Sequence, residues 1–336
     1  MEVPCVAVDR TDGEQSRQAL AKAGVLGADH EIVHDDGTLY IPVTDPDGVP
    51  DRFETTTREL PVRRTVQTPA DILGYEPSLE RLGDVVIVDE DDSERAQEIA
   101  DAVMDSDLPA RSVLNRASKI KGELRVRDWE LLAQDDADVD RSPTETVHRE
   151  YGHEFLLDLD AVYFSPRLAT ERNRVVEGIQ PGEQVLDMFA GVGPFAIPAA
   201  ARGARVVAVD LNETAVGYLR ENAERNDVSD SITAIAGDIR EVATDYSGWA
   251  DRLIMNLPHS AGEFIETAVD LAGEECVLHY YDIQHDSDPF GPGIETIRKA
   301  AEPDYEVEIE TEHVVRSYAP HELNVCLDVR LERVEP

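Results

Sequence analysis

The chain has 336 residues, a formal net charge of −40 and three widely separated cysteines. Its length accommodates two or three domains, and the odd, scattered cysteines exclude a disulfide framework and any recognisable cysteine-based metal site. Acidity of this size ordinarily argues against a polyanionic partner such as a nucleic acid.

The first predicted unit spans residues 1–65 and combines short strands with one helix. Side-chain patterns predict a strand over 3–8, a helix over 14–23 and strands near 39–43. The first ten residues contain acids and no long apolar run, which predicts neither a signal peptide nor a membrane anchor and therefore a cytoplasmic protein. So small a unit is either a docking module for a large partner or a stabilising appendage.

The second predicted unit covers residues 70–152 and follows a polar linker. It holds a predicted strand over 84–88 and a helix over 93–104 that begins at Ser93. The basic patch of the chain comes next, and it consists of Arg111, Arg116, Lys119, Lys121, Arg125 and Arg127.

Within the basic patch, residues 123–127 alternate between apolar and charged side chains. The alternation predicts a strand that buries Leu124 and Val126 and presents Arg125 and Arg127 on one outer face. We interpret that face as an RNA-facing strip, with a solvated edge strand as the alternative.

The positive charge of the chain is almost entirely arginine, since only four of its 31 basic residues are lysines. Acids spread along the whole chain complete a pattern typical of a halophilic cytoplasmic protein, the alternative being a mesophilic acidic protein. In molar salt the Debye length is about 3 Å, so long-range repulsion from RNA is nearly abolished. Short-range arginine contacts then decide whether RNA binds.

The third predicted unit, residues 153–336, opens with a strand over 154–160 and a helix that begins at Ser165-Pro166. Arg167 and Glu171 lie four residues apart on one face of that helix. They form either an ordinary salt bridge or, because the helix directly precedes the glycine-rich segment, part of a site over the mouth of the sheet.

From residue 184 onward, strands and helices alternate. The predicted strands are 184–189, 205–210, 232–236, 252–257 and 276–282, with helices near 194–202, 213–226, 262–272 and 292–301. This alternation predicts an α/β fold with a doubly wound parallel sheet. Two last strands, 305–315 and 322–331, have no helix between them and predict an antiparallel hairpin at one edge.

A strand, a glycine turn and a helix follow one another at residues 184–198. Gly191 and Gly193 let backbone N–H groups approach a nucleotide-like ligand, because glycine lacks a Cβ and adopts positive φ. With Ala196 they also fit the dinucleotide fingerprint, and Asp210 at the end of the next strand suits ribose hydroxyls in either ligand class.

Three features favour S-adenosylmethionine over a nicotinamide dinucleotide. Asp187 lies inside the first strand, where a carboxylate orders the turn or meets a cation, and Pro194 removes an N–H that a pyrophosphate would use. The third feature is an apolar strand ending at Asn256-Leu-Pro258, which is similar to the fourth-strand motif of class I methyltransferases acting on nitrogen. The alternatives are a packing turn and an ordinary strand end.

Taken together, the motifs resemble the archaeal and eukaryotic tRNA (guanine-37-N1)-methyltransferase family, in its full-length archaeal type with an extra N-terminal domain. The resemblance covers all three predicted units. It rests on segments 12–15, 121–127, 162–168 with Glu171, 187–194, 256–258 and 317–320.

The resemblance implies a class I, Rossmann-like S-adenosylmethionine-dependent methyltransferase domain preceded by two smaller α+β domains. It implies that the first domain recognises the outer corner of the tRNA, the second the anticodon arm, and the third the methyl donor. The implied donor-pocket residues are Arg167, Asp187, Phe189, Gly191, Gly193, Asp210, Leu211, Asp238, Ile239 and Asn256. The implied RNA-binding residues are Lys119, Lys121, Arg125, Arg127, Tyr163 and Pro258. The expected enzyme is a monomer that needs no metal and acts on tRNA with guanosine at position 37.

The implied catalytic residues are Glu171, Arg125 and Asn256. Guanine N1 carries a proton at neutral pH, so methylation requires its removal and stabilisation of charge on O6. Glu171 is the expected general base, Arg125 the O6 donor and Asn256 the reader of the base edge. N1 is accessible only when the base leaves its stack, and Tyr163 or Phe164 either supports the extruded nucleotide or is an ordinary core aromatic.

Other functions remain open from the sequence. The first is another transfer from the same donor, such as the aminocarboxypropyl step of wybutosine synthesis or methylation of a tricyclic guanosine intermediate. The second is a nicotinamide-dependent oxidoreductase. The third, a tRNA-binding protein without catalysis, is disfavoured by the intact acid and arginine constellation.

Overall fold

The computed structural model describes residues 2–64, 66–119, 121–122, 124–302 and 304–334. Three of the predicted domain bounds, residues 1, 65 and 336, therefore lie outside the described residues. The chain divides into two compact units, residues 1–67 and 68–336. None of the helices in the described part of the chain has the length and apolar character needed to cross a bilayer.

The first unit is one antiparallel sheet with a helix packed against it. Its elements are β1 (Glu2–Asp9), α1 (Gly13–Lys22), β2 (Val33–Asp35), β3 (Thr38–Pro42) and β4 (Thr55–Glu59), and the strand order is β2-β3-β1-β4. Val6, Leu20 and Ile41 are fully buried between sheet and helix. The predicted strand and helix at the start of the chain are confirmed, with ends shifted by one residue.

The second unit begins with a small four-stranded sheet. Its elements are α2 (Pro69–Leu73), β5 (Leu79–Leu82), β6 (Val85–Val88), α3 (Ser93–Asp105), β7 (Ser112–Arg116) and β8 (Trp129–Gln134), in strand order β5-β6-β7-β8. Strands β6 and β7 are parallel, so α3 is their crossover. Asp92, and not Ser93, caps α3, because its carboxylate accepts the N–H groups of Glu94 and Arg95.

The predicted strand over 123–127 is wrong. The described residues between β7 and β8 form a tight loop, in which the N–H of Lys121 donates to the carbonyl of Val126 at 2.8 Å. Gly122 and Arg125 both have positive φ, and Leu124 is exposed. Two left-handed residues reverse the chain here, and a five-residue alternation does not distinguish such a turn from a strand. Glu123 lies outside the described residues.

A two-stranded ribbon joins the small sheet to the rest of the unit. It consists of β9 (Glu145–Glu150) and β10 (His153–Asp158). Gly83 of the small sheet approaches Thr146 so closely that it leaves no room for a Cβ. On the other strand, the amide side chain of Asn222 bonds both the N–H and the carbonyl of Leu156, at 2.7 and 3.0 Å. The loop that carries Arg125 is thereby held in place relative to the large sheet.

The large sheet contains seven strands in the order β13-β12-β11-β14-β15-β17-β16. Its elements are α4 (Ala169–Glu177), β11 (Gln184–Asp187), α5 (Ala196–Ala201), β12 (Arg205–Asp210), α6 (Glu213–Arg225), β13 (Ile232–Ala236), α7 (Ile239–Val242), β14 (Ala250–Met255), α8 (Ile265–Leu271), β15 (Ala272–His285), α9 (Gly291–Ala301), β16 (Tyr305–Ala319) and β17 (Glu322–Arg333). The first five strands in this order are parallel to one another. Strand β17 pairs antiparallel with β15, and β16 pairs antiparallel with β17. The predicted doubly wound sheet with its terminal hairpin is confirmed.

The topology places a ligand site at one edge of this sheet. The order reverses at β11, which lies between β12 and β14, and the carboxyl ends of all three parallel strands meet there. Crevices at such a switch point are where open α/β sheets bind ligands. Val185 and Leu186 of β11 are fully buried, one in each of two apolar clusters that lie against the sheet, so this edge has a rigid base.

Candidate active site at the carboxyl edge of the large sheet

The glycine turn after β11 has the backbone geometry that its sequence predicts. Gly191 and Gly193 have φ values of 53° and 91°, in the left-handed region. The N–H of Gly191 donates to Oδ2 of Asp210 at 2.7 Å, which ties the turn to the end of β12. A Cβ on Gly193 would lie 3.0 Å from Ile197 and 3.2 Å from Leu219, so close packing also requires glycine there.

Asp187 carries a buried oxygen without a partner. Its side chain is fully buried at the end of β11, and Oδ1 accepts the N–H of Phe189 at 3.4 Å. Oδ2 has no hydrogen-bond partner among the residues that the structure describes. Burial, reinforced by the nearby charge of Asp210, raises the pKa of Asp187 to about 7. A cationic ligand group, such as the ammonium of S-adenosylmethionine, would satisfy this oxygen, so the site fits the expected donor.

The other predicted donor-pocket residues lie after β12 and β13. Asp210 uses both carboxylate oxygens for backbone N–H groups, those of Gly191 and Asn212, and retains lone pairs for ribose hydroxyls. Leu211 is exposed beside it, whereas Ile239 is buried at the start of α7. Asp238 caps α7 and is paired with Arg240, whose hydrogen bond lowers the pKa of this carboxyl.

Aromatic side chains and the Asn256-Leu-Pro258 loop complete the edge of the sheet. Phe189 makes an edge-to-face contact with Phe264, with ring centroids 5.0 Å apart. Asn256 directly follows β14 and is half-buried. A predicted pocket residue therefore lies at the carboxyl end of each of three neighbouring strands, β12, β11 and β14.

Arg125 reaches this edge from the small sheet. Its Nη1 donates to the carbonyl oxygen of Pro258 at 3.1 Å, and its guanidinium lies 5.3 Å from the ring centroid of Tyr163. Arg125 itself has φ 56°, a left-handed conformation that is uncommon for a residue with a side chain. The structure thus brings together Arg125, Tyr163 and Pro258, three residues predicted to contact RNA.

Glu171 is almost completely buried on α4, with 5% of its surface exposed. Its carboxylate accepts two hydrogen bonds from Arg174, both at 2.8 Å, and one from the hydroxyl of Tyr281 at 2.7 Å. Nε2 of His313 lies 3.2 Å from the same carboxylate. In the described part of the chain, no hydrogen bond or ion pair joins Glu171 to Arg125.

The salt bridge considered between Arg167 and Glu171 does not form. Arg167 instead donates to Glu80 of the small sheet at 3.0 Å, and Arg174 takes its place beside Glu171. The physical reason is burial: Arg167 is exposed just before α4 begins, whereas Arg174 lies within the helix, three residues after Glu171, and also binds a second acid. Arg167 as a donor-pocket residue remains a prediction.

That second acid, Asp328, belongs to a buried ionic network that the sequence did not indicate. Asp328 binds Arg174 at 2.5 Å and Nδ1 of His279 at 2.6 Å, and these partners hold the pKa of Asp328 well below its usual range although burial opposes them. Nε2 of His279 is 2.7 Å from Arg252, which binds Glu183. The network fixes Arg174 and therefore the partner of Glu171.

The residues of the basic patch do not form one surface. Arg111 is buried against Asp84 at 3.1 Å, and Arg116 pairs with Asp89 at 2.7 Å and with Glu80, so both arginines form ion pairs within the small-sheet region. The remaining predicted RNA-binding residues lie in or beside the loop. Lys119 is exposed, Lys121 pairs with Asp128, and Arg127 lies 5.5 Å from the ring centroid of Trp129.

Three family profiles match the chain in sequence order. A Trm5 N-terminal domain matches residues 5–50, a TYW2 N-terminal domain matches residues 68–136, and a TRM5/TYW2 methyltransferase domain matches residues 146–310. The residues of the glycine turn and of the Asn256-Leu-Pro258 loop fall inside the last of these.

Individual relatives extend the likeness over the whole chain. The tRNA (guanine(37)-N(1))-methyltransferase Trm5b of Pyrococcus abyssi is 37% identical over 97% of this chain and 98% of its own length. A solved complex of aTrm5 and tRNALeu aligns with a TM-score of 0.73 and 32% identity, over 98% of this chain and 99% of that one. A tRNA(Phe) (4-demethylwyosine(37)-C(7)) aminocarboxypropyltransferase of Pyrococcus horikoshii is 34% identical over 67% of this chain and 78% of its own length.

Proposed function

The chain belongs to the tRNA (guanine-37-N1)-methyltransferase family, and we propose that it transfers a methyl group from S-adenosylmethionine to N1 of guanosine 37 in tRNA. The observation that carries the proposal is the hydrogen bond from Arg125 to Pro258. This bond holds the guanidinium of Arg125, from a loop of the small sheet, near the edge of the large sheet that carries Asp187 and the glycine turn.

The donor supplies an electrophilic methyl group on a sulfonium when it is bound. The unpaired oxygen of Asp187 binds its ammonium group, and the turn at Gly191 and Gly193 lets the backbone approach it. Asp210 accepts hydrogen bonds from the ribose hydroxyls of the donor, using the lone pairs that its two backbone N–H partners do not occupy. Asn256, at the end of β14, faces the base that receives the methyl group.

Guanine is activated by loss of the N1 proton. Glu171 takes this proton, while Arg125 donates a hydrogen bond to O6 as negative charge develops there. In the structure Glu171 is held by Arg174 and Tyr281, so it reaches the base only after exchanging partners. His313 is the partner most readily exchanged, since 39% of its side chain is exposed.

The RNA binds around Arg125, at the carboxyl edge of the large sheet. Tyr163 offers a ring face to the extruded base beside Arg125, and Lys119, Lys121 and Arg127 contact the RNA backbone around it. The proposal includes a monomeric cytoplasmic enzyme that works in molar salt, where its charge of −40 no longer repels tRNA.

Aminocarboxypropyl transfer is the second candidate, because a relative with that activity matches two thirds of the chain. The match of residues 5–50 to the Trm5 N-terminal domain favours methyl transfer. Membership of the family leaves no support for a nicotinamide-dependent oxidoreductase.

The test is incubation with labelled S-adenosylmethionine and tRNA transcripts at several KCl concentrations. Label should enter a transcript with guanosine at position 37 and the product nucleoside should gain the mass of one methyl group. A transcript substituted at position 37 is the matched control. Equal labelling of both transcripts, or gain of an aminocarboxypropyl group, would overturn the proposal.

A further inference from the structure

The tip of the terminal hairpin lies beside the end of β15, and three side chains there resemble a metal site. β15 ends at His285, Asp286 follows it, and His321 lies in the turn between β16 and β17. The N–H of Asp286 donates to the carbonyl of His321 at 3.0 Å, which joins the two segments. We infer that His285, Asp286 and His321 bind a divalent transition-metal ion, with zinc as the best fit.

The spacing of the ligand atoms fits such an ion. The carboxylate of Asp286 has one oxygen 3.3 Å from Nδ1 of His285 and the other 3.0 Å from Nδ1 of His321. The three ligand atoms all lie within 4.8 Å of one another. A tetrahedral zinc ion with bonds of about 2.0–2.1 Å to nitrogen and oxygen sets its ligands roughly 3.3 Å apart. Only small movements of the side chains would then admit the ion.

Hydrogen-bonding neighbours already lie beside both Nδ1 atoms, and the ion would displace them. The N–H of Ser287 donates to Nδ1 of His285 at 3.2 Å, and the hydroxyl of Ser287 lies 2.8 Å from the same nitrogen. Nδ1 of His321 lies 3.0 Å from the carboxylate of Asp286. The two imidazole planes are 15° apart, with ring centroids 5.8 Å from each other.

The donor set and exposure define the class of ion. Two imidazoles and one carboxylate favour zinc, nickel, cobalt or copper over magnesium and calcium. The side chains of His285, Asp286 and His321 are 63%, 45% and 74% exposed, which leaves a fourth position for water. The surrounding charge is negative over the whole chain, and this favours a cation.

A second cluster, which is buried, differs from the exposed one because arginine side chains bind it. His279, Cys326 and Asp328 are equally close together, but Arg174 binds Asp328 and Arg252 binds His279. Two guanidinium groups already supply the positive charge there, and a metal ion would be repelled. The exposed cluster has no arginine or lysine among its contacts in the described part of the chain.

The position of the exposed cluster gives the ion a role. On the same hairpin, Tyr318 makes an edge-to-face contact with His259, ring centroids 5.2 Å apart. His259 directly follows the Asn256-Leu-Pro258 loop, whose carbonyl receives Arg125. An ion that ties the hairpin tip to β15 would hold this wall of the site in place, without taking part in methyl transfer.

The inference is tested on the full-length, untagged chain after treatment with a chelator. Zinc is titrated calorimetrically in sodium sulfate, and cobalt(II) is followed by its visible absorption. We expect one equivalent of each ion to bind, with at least tenfold weaker affinity in His321→Ala and in Asp286→Asn. Zinc should raise the unfolding temperature of the wild type more than that of either variant.

An exposed histidine elsewhere provides the matched control. His34 lies on β2 of the first unit, and His34→Ala should leave zinc affinity unchanged. The unfolding temperatures of all variants without metal show whether each remains folded. Absence of saturable binding, or binding that persists in both His321→Ala and Asp286→Asn, would overturn the inference.

Discussion

Arg125 donates a hydrogen bond to the carbonyl oxygen of Pro258, a residue 133 positions further along the chain. The contact joins the loop after β7 to the loop after β14, and it therefore links the two sheets at the candidate active site. The small sheet carries the guanidinium, and the large sheet carries the residues predicted to bind the donor. The ribbon β9–β10 contacts both sides, through Thr146 beside Gly83 and through the bond between Leu156 and Asn222 of α6.

Substitution of Arg125 by alanine should slow methyl transfer in a single turnover by roughly 10²–10³-fold, the cost of losing one donor to a developing oxyanion. tRNA affinity should fall much less. Arg127→Ala is the matched control for the rate: Arg127 lies in the same loop, beside Trp129, and its loss should weaken tRNA binding without slowing methyl transfer at saturation. If Arg125→Ala weakens tRNA binding and leaves the rate at saturation unchanged, Arg125 binds the RNA backbone and does not stabilise O6.

Glu171→Gln should reduce the single-turnover rate by about 10²–10⁴-fold, the usual range for a general base, while donor binding stays nearly unchanged. Glutamine keeps the shape of the side chain but cannot take the N1 proton. The matched control is Glu177→Gln on the same helix, where the side chain is exposed. Near-normal turnover by Glu171→Gln would remove Glu171 from the mechanism.

Donor binding should depend on the ionisation of Asp187, whose pKa burial raises to about 7. Below that pH the carboxyl is neutral and loses its attraction for the donor's ammonium group. The dissociation constant of S-adenosylmethionine should therefore fall by up to about tenfold per unit as pH rises toward 7, and level off above it.

In Asp187→Asn the donor should bind weakly, and pH should not change its affinity between 6 and 8. Equilibrium dialysis of labelled donor provides the measurement, and Asp230→Asn, an exposed acid, is the control. A pH profile that is the same in Asp187→Asn and the wild type would assign the titration to another group.

Arg174→Met should destabilise the protein by about 3–5 kcal/mol, because it removes the arginine that the buried carboxylates of Glu171 and Asp328 share. Arg225→Met removes a similar arginine–glutamate pair from the surface of α6 and should cost at most about 1 kcal/mol. Denaturant unfolding in molar KCl measures both. Equal stabilities of the two variants would show that the buried network does not support the fold.

The large sheet, and the meeting of the predicted pocket residues at its carboxyl edge, were predictable because their signals are local. Strand–helix alternation indicated the sheet, and Asp187, Gly191 and Asp210 each stand where one parallel strand ends. Parallel strands that share a switch point bring such ends together whatever lies between them in sequence. The order of apolar strands, each followed by a glycine turn or an acid, is thus sufficient to bring the candidate pocket residues together.

The remaining parts of the site depend on contacts that have no local pattern. Arg174 and Asp328 are 154 residues apart, and only the packing of α4 against β17 pairs them. His285 and His321 meet because two strand ends are adjacent in the sheet. Residues 123–127 were misassigned because alternation over five residues also suits a turn. No residue type in this segment indicates that Arg125 adopts a left-handed conformation.

In the proposed mechanism Glu171 removes the N1 proton while Arg125 donates a hydrogen bond to O6 beside the bound donor. A crystal structure of the chain with tRNA and a non-reactive donor analogue is the decisive measurement. We expect the carboxylate of Glu171 within hydrogen-bond distance of guanine N1 and the guanidinium of Arg125 within the same distance of O6. A complex in which guanosine 37 occupies the pocket while Glu171 stays bound to Arg174 and Tyr281, out of reach of the base, would contradict it.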